Sequence, residues 1–325
     1  MFRRTLTAAA ALLAVTVLAV AACAEPAHTP PPAASPSPSA PAGPGVAVDS
    51  PIGLAVTADG GVWAASADRD AVVQLDPATG AVVRTVAVGR TPLRLAADGD
   101  LLWVSVFRHG RLLGVDTATG AVKVDVPAPD GPEGVAVGLG SVWLVRQDAN
   151  TLSRFDRTGH RLADVPVPGG PRLAAVGAGA VWVSSYQAGT LTRVEASGRA
   201  RTSPKLCDGA QGLLVRGDVV WVTCTGGDEV LAVDAASLRV LGRVAVTGEP
   251  DAILAAGDRL LVVATKGPTL VELSTDPAAP HELRRTVLGG ARPLRDAANG
   301  DAAVVGGQLW VSSVSQDGIY RVPLP

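Results

Sequence analysis

Aromatic side chains are scarce in this chain, 3% of 325 residues. That argues against a quinone-cofactor site, which needs an aromatic and cationic cradle. Charge of one sign is lacking too. A formal net charge of −2 provides no broad positive field for polyphosphate, so nucleic acid is not an expected partner. The chain has no Gly-rich phosphate loop between a strand and a helix, no CxxC zinc pattern, no HExxH and no GxSxG elbow. No cofactor and no metal site are therefore expected from motifs. Cysteine is limited to three residues, Cys23, Cys207 and Cys224.

What is present begins with an export signal. Arg3 and Arg4 precede an apolar run over residues 6–22, which suits a secretory leader better than a spanning helix. Ala21 and Ala22 stand directly before Cys23 and resemble the lipobox of bacterial lipoproteins. The resemblance implies a signal peptide at 1–22 and diacylglyceryl transfer to the Cys23 thiol. It places the mature protein on the extracytoplasmic face of the cell membrane, and two acyl chains give stable anchoring where one is marginal. Residues 23–45 read as a Pro-rich disordered tether; at ~3.1 Å per residue in polyproline II it reaches up to ~70 Å. In an exported protein the two remaining cysteines, Cys207 and Cys224, form an expected disulfide.

The few aromatics are ordered. Trp63, Trp103, Trp143, Trp182, Trp221 and Trp310 recur in equivalent settings, and Val262 takes the place in GDRLLVVAT. The intervals run 40, 40, 39, 39, 41 and 48 residues, which marks seven copies of one unit. Within a unit the apolar pattern has period two and the breaks are Gly, Asp and Pro, so the units are strands and turns, not helical pairs. The second unit reads as four strands over 93–97, 101–106, 111–115 and 121–126. The last two are joined by Asp-x-x-Thr-Gly at 116–120, which recurs at 76–80. One Asp per hairpin turn scatters these carboxylates around a ring, so they are turn formers and not metal ligands.

Four antiparallel strands repeated seven times predict an all-β, seven-bladed β-propeller over 46–325, which removes long free edges by radial repetition. The last unit ends at its third strand, 319–322. Residues 46–48 resemble a fourth strand, so the N-terminal strand is expected to complete the C-terminal blade.

The run LLWVSVFRHGRLLGVDTATGAVKVDVPAPDGPEGVAV and its copies resemble the YVTN-type repeat of bacterial seven-bladed propeller proteins. More distantly they are similar to streptogramin (virginiamycin B) lyase-like propellers. The likeness covers 45–325 and rests on blade-building positions such as Trp103, Asp116, Thr119, Gly120 and Pro132. The first family implies a surface-held, non-catalytic binding platform for an envelope protein or a small polar ligand, working as a monomer. The second implies a magnesium-assisted lyase, or a lactonase-like activity, with a His base and acidic partners in the propeller mouth. No such His and carboxylate set can be matched. His109 falls in a mouth loop, whereas His160 and His281 fall on turns at the opposite end.

Residues just after the Pro that enters each blade begin the innermost strand and point at the axis. Here they are Arg94, Glu133, Arg172, Asp251 and Arg295. They differ from blade to blade on a constant scaffold, as an asymmetric ligand requires. Ordinary loop charge or salt bridges across the mouth would leave the same pattern. Loops between second and third strands add Arg108, His109 and Tyr186. The long interval before Trp310 predicts an extra loop at 292–301 beside the entrance.

Overall fold

A computed structural model describes residues 45–266, 268–288, 300–314 and 317–324. Among the described residues twenty-eight strands, numbered in chain order, form seven four-stranded antiparallel sheets. In the second blade they are β6 (Pro92–Asp98), β7 (Leu101–Val106), β8 (Arg111–Asp116) and β9 (Val122–Pro127), paired in that order from axis to rim. The sequence reading of this unit agrees to within two residues at each end. Six blades are built from consecutive strands, and the seventh is not. There β1 (Val46–Ala47) pairs β28 (Gly318–Pro323), with Val46 opposite Ile319, so the N-terminal strand closes the ring as expected.

Each Trp lies on the second strand of its blade opposite a residue of the innermost strand, usually Ala. Trp63 faces Ala55, Trp103 faces Ala96, Trp143 faces Ala136, Trp182 faces Ala175 and Trp310 faces Ala303. The small partner leaves room for the indole, which packs into the next blade: Trp103 against Val135, Val142 and Leu144, and Trp310 against Leu54, Val62 and Ala64. All six indoles are at most 1% exposed. The sixth blade corrects the sequence reading. Trp221 pairs Leu214 and, one blade on, Leu261 pairs Leu254, while Val262 occupies the position of Val222. Leu261 therefore holds the Trp place, and it packs against Leu309 and Val311 of the seventh blade. In the aliphatic run LLVV no bulky residue distinguishes the two faces, so a slip of one residue left no trace in the pattern.

The Asp turns are structural, as read. Asp116 Oδ1 accepts hydrogen bonds from the Thr119 amide and hydroxyl at 2.8 Å, and Asp76 does the same for Thr79. These bonds to the charged form hold both carboxyls below their ordinary range. Cys207 and Cys224 are joined, with a Cα–Cα distance of 6.0 Å. Cys224 ends its strand, whereas Cys207 lies in the segment that enters the fifth blade, beyond β17 (Ala200–Thr202). The leader, Cys23, the tether up to residue 44 and Arg295 lie outside the described residues.

Candidate functional site

Six of the seven innermost strands share one irregularity that builds the site. Between Pro51 and Leu54, Pro92 and Leu95, Pro132 and Val135, Pro171 and Ala174, Ala210 and Leu213, and Pro250 and Ile253 the register slips by one. Two residues there oppose one on the neighbouring strand, a bulge that re-aims side chains. Counted from the Pro, Glu133, Arg172, Gln211 and Asp251 hold the first bulge position in blades three to six, Ala210 standing in for Pro in the fifth. Arg94 holds the second position in blade two, and Asp301 matches it in blade seven because each lies nine residues before its Trp.

A hydroxyl two residues after the Trp fastens the bulge. Thr223 Oγ1 accepts the Gly212 amide at 2.7 Å and donates to the Asp251 carbonyl of the next blade at 2.7 Å. Ser312 likewise accepts from Asp301 and donates to Ile52, at 2.8 and 2.6 Å. Ser184 donates to the Gln211 carbonyl at 2.6 Å, and Ser105 accepts the Arg94 amide at 3.0 Å. Such ties fix the angle at which neighbouring innermost strands meet. They meet closely: a Cβ at Gly212 would stand 1.9 Å from the Asp251 carbonyl oxygen, and one at Gly134 would stand 2.4 Å from that of Arg172. Glycine is the residue that permits this approach.

The result is a polar layer across the channel. Arg172 donates from Nε and Nη2 to Glu133 Oε1 at 2.8 and 2.7 Å, and its guanidinium lies 5.4 Å over the Tyr186 ring. Arg94 Nη1 donates to the Gly300 carbonyl at 3.0 Å and lies 3.6 Å from Asp301 Oδ2, which also accepts the Leu54 amide at 3.0 Å. Asp251 Oδ2 accepts the Gly300 amide at 2.7 Å. Arg94, Glu133, Gln211 and Asp251 are 6, 1, 2 and 0% exposed, yet each keeps polar atoms without a hydrogen-bond partner: Arg94 Nε and Nη2, Glu133 Oε2, Gln211 Oε1 and Asp251 Oδ1.

Burial dominates the electrostatics. Loss of solvent pushes the Asp251 carboxyl up, opposed by the field of Arg94 and by the Gly300 amide. Burial also raises Glu133 against the pull of Arg172, and raises Asp301 against that of Arg94. For Arg172 burial works against the charge, but Glu133 outweighs it and the guanidinium is held above its ordinary value. Below this layer, away from the mouth, lies a cavity of about 220 Å³. Its walls are Leu54, Leu95, Val135, Leu173, Leu213 and Ile253, with Arg94 and Asp301 at its polar end.

The structure thus brings together Arg94, Glu133, Arg172 and Asp251, with Tyr186 half-buried against Arg172. It does not bring in Arg108 and His109, which are exposed in the turn after β7. There the His109 ring covers Gly89, where an added Cβ would come within 2.5 Å of Nδ1. Of the extra loop at 292–301 only Gly300 and Asp301 are described. The sequence reading missed Gln211, because Ala210 replaces the guiding Pro, and Asp301, because the insertion hides its register. Counting back nine or ten residues from each Trp would have found both.

The donor set does not fit a divalent metal. Among the described residues no three His, Cys, Asp or Glu side chains are grouped to hold one, and the channel carboxylates are interleaved with two guanidiniums.

No protein-family model and no curated protein matches the chain. Solved structures do. A streptogramin B lyase superposes with a TM-score of 0.71 at 15% identity, covering 85% of this chain and 94% of that one. A catalytically inactive virginiamycin B lyase from Staphylococcus aureus with quinupristin gives 0.71 at 18%, covering 85% and 95%. The WD40 repeats of RRP9 give 0.73 at 11%, covering 87% and 96%. At these identities the likeness is one of fold, shared by lyases and by WD40 propellers.

Proposed function

We propose that this protein is a lipid-anchored, extracytoplasmic propeller that binds a ligand at the mouth end of its channel and catalyses no reaction on it. One observation carries the reading. Four side chains, each no more than 6% exposed, converge from different blades and keep polar atoms unpaired. Leaving buried polar atoms unpaired costs roughly 1–3 kcal/mol each, a cost that a bound molecule can remove. Tyr186 and Arg172, partly exposed on the mouth side, form the rim. Cys23 holds the anchor and residues 23–45 carry the propeller away from the membrane.

The test is a thermal-shift screen of small polar compounds against the wild type and an Arg94→Gln variant. A compound that raises the melting temperature of the wild type and not of the variant supports the channel site; equal shifts in both place binding elsewhere. Anchoring is read separately. Replacing Cys23 with Ala should abolish labelling by radioactive palmitate, and labelling that persists overturns it.

A further inference from the structure

Resting on that reading, the charge count of the layer narrows the ligand. Two guanidiniums, Arg94 and Arg172, face three carboxylates, Glu133, Asp251 and Asp301. Arg172 pairs with Glu133 at 2.7 Å and Arg94 with Asp301 at 3.6 Å. Asp251, wholly buried, has no ion pair among the described residues. A buried carboxylate that feels positive charge only at a distance is costly, and an ammonium supplied from outside can make the missing contact.

The unpaired atoms specify the form of that cation. Both Arg172 nitrogens go to the same Glu133 oxygen, which leaves Oε2 open. With Gln211 Oε1 and Asp251 Oδ1 it makes three open acceptors on blades three, five and six. A primary ammonium has three N–H donors and no acceptor. Glu133 lies within the field of Asp251, and the Gln211 side chain is close enough to help stabilise the Asp251 anion, so the acceptors belong to one site.

An ammonium alone leaves two Arg94 donors unfilled. Arg94 Nη1 is taken by Gly300, but Nε and Nη2 are open. These two form one edge of the guanidinium, the edge that takes a carboxylate in two parallel hydrogen bonds. Arg94 also acts on Asp251 and Glu133, so this edge lies at the same site as the acceptors. An inorganic cation would satisfy the acceptors but leave that edge open beside a like charge. Arg94 in addition lines the apolar cavity of about 220 Å³, which can receive an aliphatic side chain.

We propose that the ligand is a zwitterionic α-amino acid with an aliphatic side chain. Its ammonium sits on Glu133, Gln211 and Asp251, its carboxylate on the open edge of Arg94, and its side chain among Leu54, Leu95, Val135 and Leu213. Neutral polyols are the competing chemistry, since a hydroxyl both donates and accepts.

The experiment is calorimetric titration of the detergent-purified full-length protein with L-leucine, isopentylamine, 4-methylpentanoate, N-acetyl-L-leucine and glucose. L-Leucine should bind, and losing either charged group should weaken binding at least about tenfold, the cost of a hydrogen bond to a charge. Glu133→Gln and Gln211→Glu variants, near-isosteric and checked for an intact Trp fluorescence spectrum, give a second measure. Glu133→Gln should weaken L-leucine about tenfold or more, whereas Gln211→Glu should leave the ammonium contact in place and favour isopentylamine relative to L-leucine. Binding of glucose with no binding of L-leucine overturns the amino-acid assignment. If Arg94→Gln then abolishes glucose binding, the channel site itself stands. L-Leucine binding that is indifferent to both Glu133→Gln and Arg94→Gln overturns the assignment and the channel reading together.

Discussion

The ring closes on two residues of strand, and deleting residues 46–48 measures what that closure is worth. Val48 is 3% exposed in the cluster that holds Trp310 and Leu54. Removing a buried Val from water's exclusion costs about 1.5–3 kcal/mol. The ladder between β1 and β28 pairs Val46 with Ile319 and Ala47 with Gly318. Each lost hydrogen bond there adds about 0.5–1.5 kcal/mol net, because the freed groups return to water. Together the loss is about 3–6 kcal/mol. For a domain of this size about 2–4 °C accompany each kcal/mol, so the melting temperature should fall by at least ~6 °C. The bare edge of β28 is also a template for pairing with another chain, so size-exclusion chromatography should show new oligomers. The control deletes residues 34–36 of the tether in the full-length protein and should leave both readouts unchanged. Equal melting temperatures for the two deletions would refute the closure.

The Trp lattice makes a graded prediction: Trp182 Nε1 donates to the Gly177 carbonyl at 2.9 Å, whereas Trp63 Nε1 has no partner, so Trp182→Phe should cost about 1 kcal/mol more than Trp63→Phe by denaturant unfolding. Replacing Cys207 and Cys224 with Ser opens a link across 17 residues; loss of about 3 kcal/mol is expected, and wild type scanned with a reductant should approach the double variant. The pH profile should carry the channel layer. Glu133, Asp251 and Asp301 are raised, so between the ordinary carboxylate range and their folded values the folded state binds more protons than the unfolded, and stability falls as pH rises through that window. The depressed turn carboxyls, Asp76 and Asp116 among them, act oppositely and lose stability only as pH drops below the ordinary range. Melting temperature should therefore peak in mild acid, and a Glu133→Gln, Asp251→Asn double variant should show a shallower decline on the alkaline side, with only the Asp301 share left; a decline unchanged in that variant would assign it to other groups.

How much of this was legible in the chain follows from which features repeat. The blades were, because Trp103, the 116–120 turn and the period-two strands recur and each copy corroborates the others. Where the corroboration stops, so does the accuracy: in the one blade without a Trp the sequence points to Val262 and the structure to Leu261 for the Trp place, since nothing in LLVV marks which face is which. The site is the reverse case, a set of residues defined by not repeating. Arg94, Glu133, Arg172 and Asp251 were found because a Pro precedes each bulge, but Pro is only a local marker. It disappears at Ala210 and is lost in the insertion before Gly300, and Gln211 and Asp301 went with it. The better ruler is the Trp, which fixes register because its indole packs against the next blade, in five of six cases opposite an Ala. From Trp103 and Trp310 nine residues back stand Arg94 and Asp301; from Trp143, Trp182 and Trp221 ten residues back stand Glu133, Arg172 and Gln211. Burial could not be counted out in this way. The charges are expected at an open mouth, yet the bulge together with Gly134 and Gly212 draws the strands so close that three of them, Arg94, Glu133 and Asp251, lose nearly all solvent. The same Trp spacing that builds the blades therefore sets the depth of the charged layer, and an insertion of one residue between a Trp and its bulge should remove one member of the layer while leaving the other six blades folded.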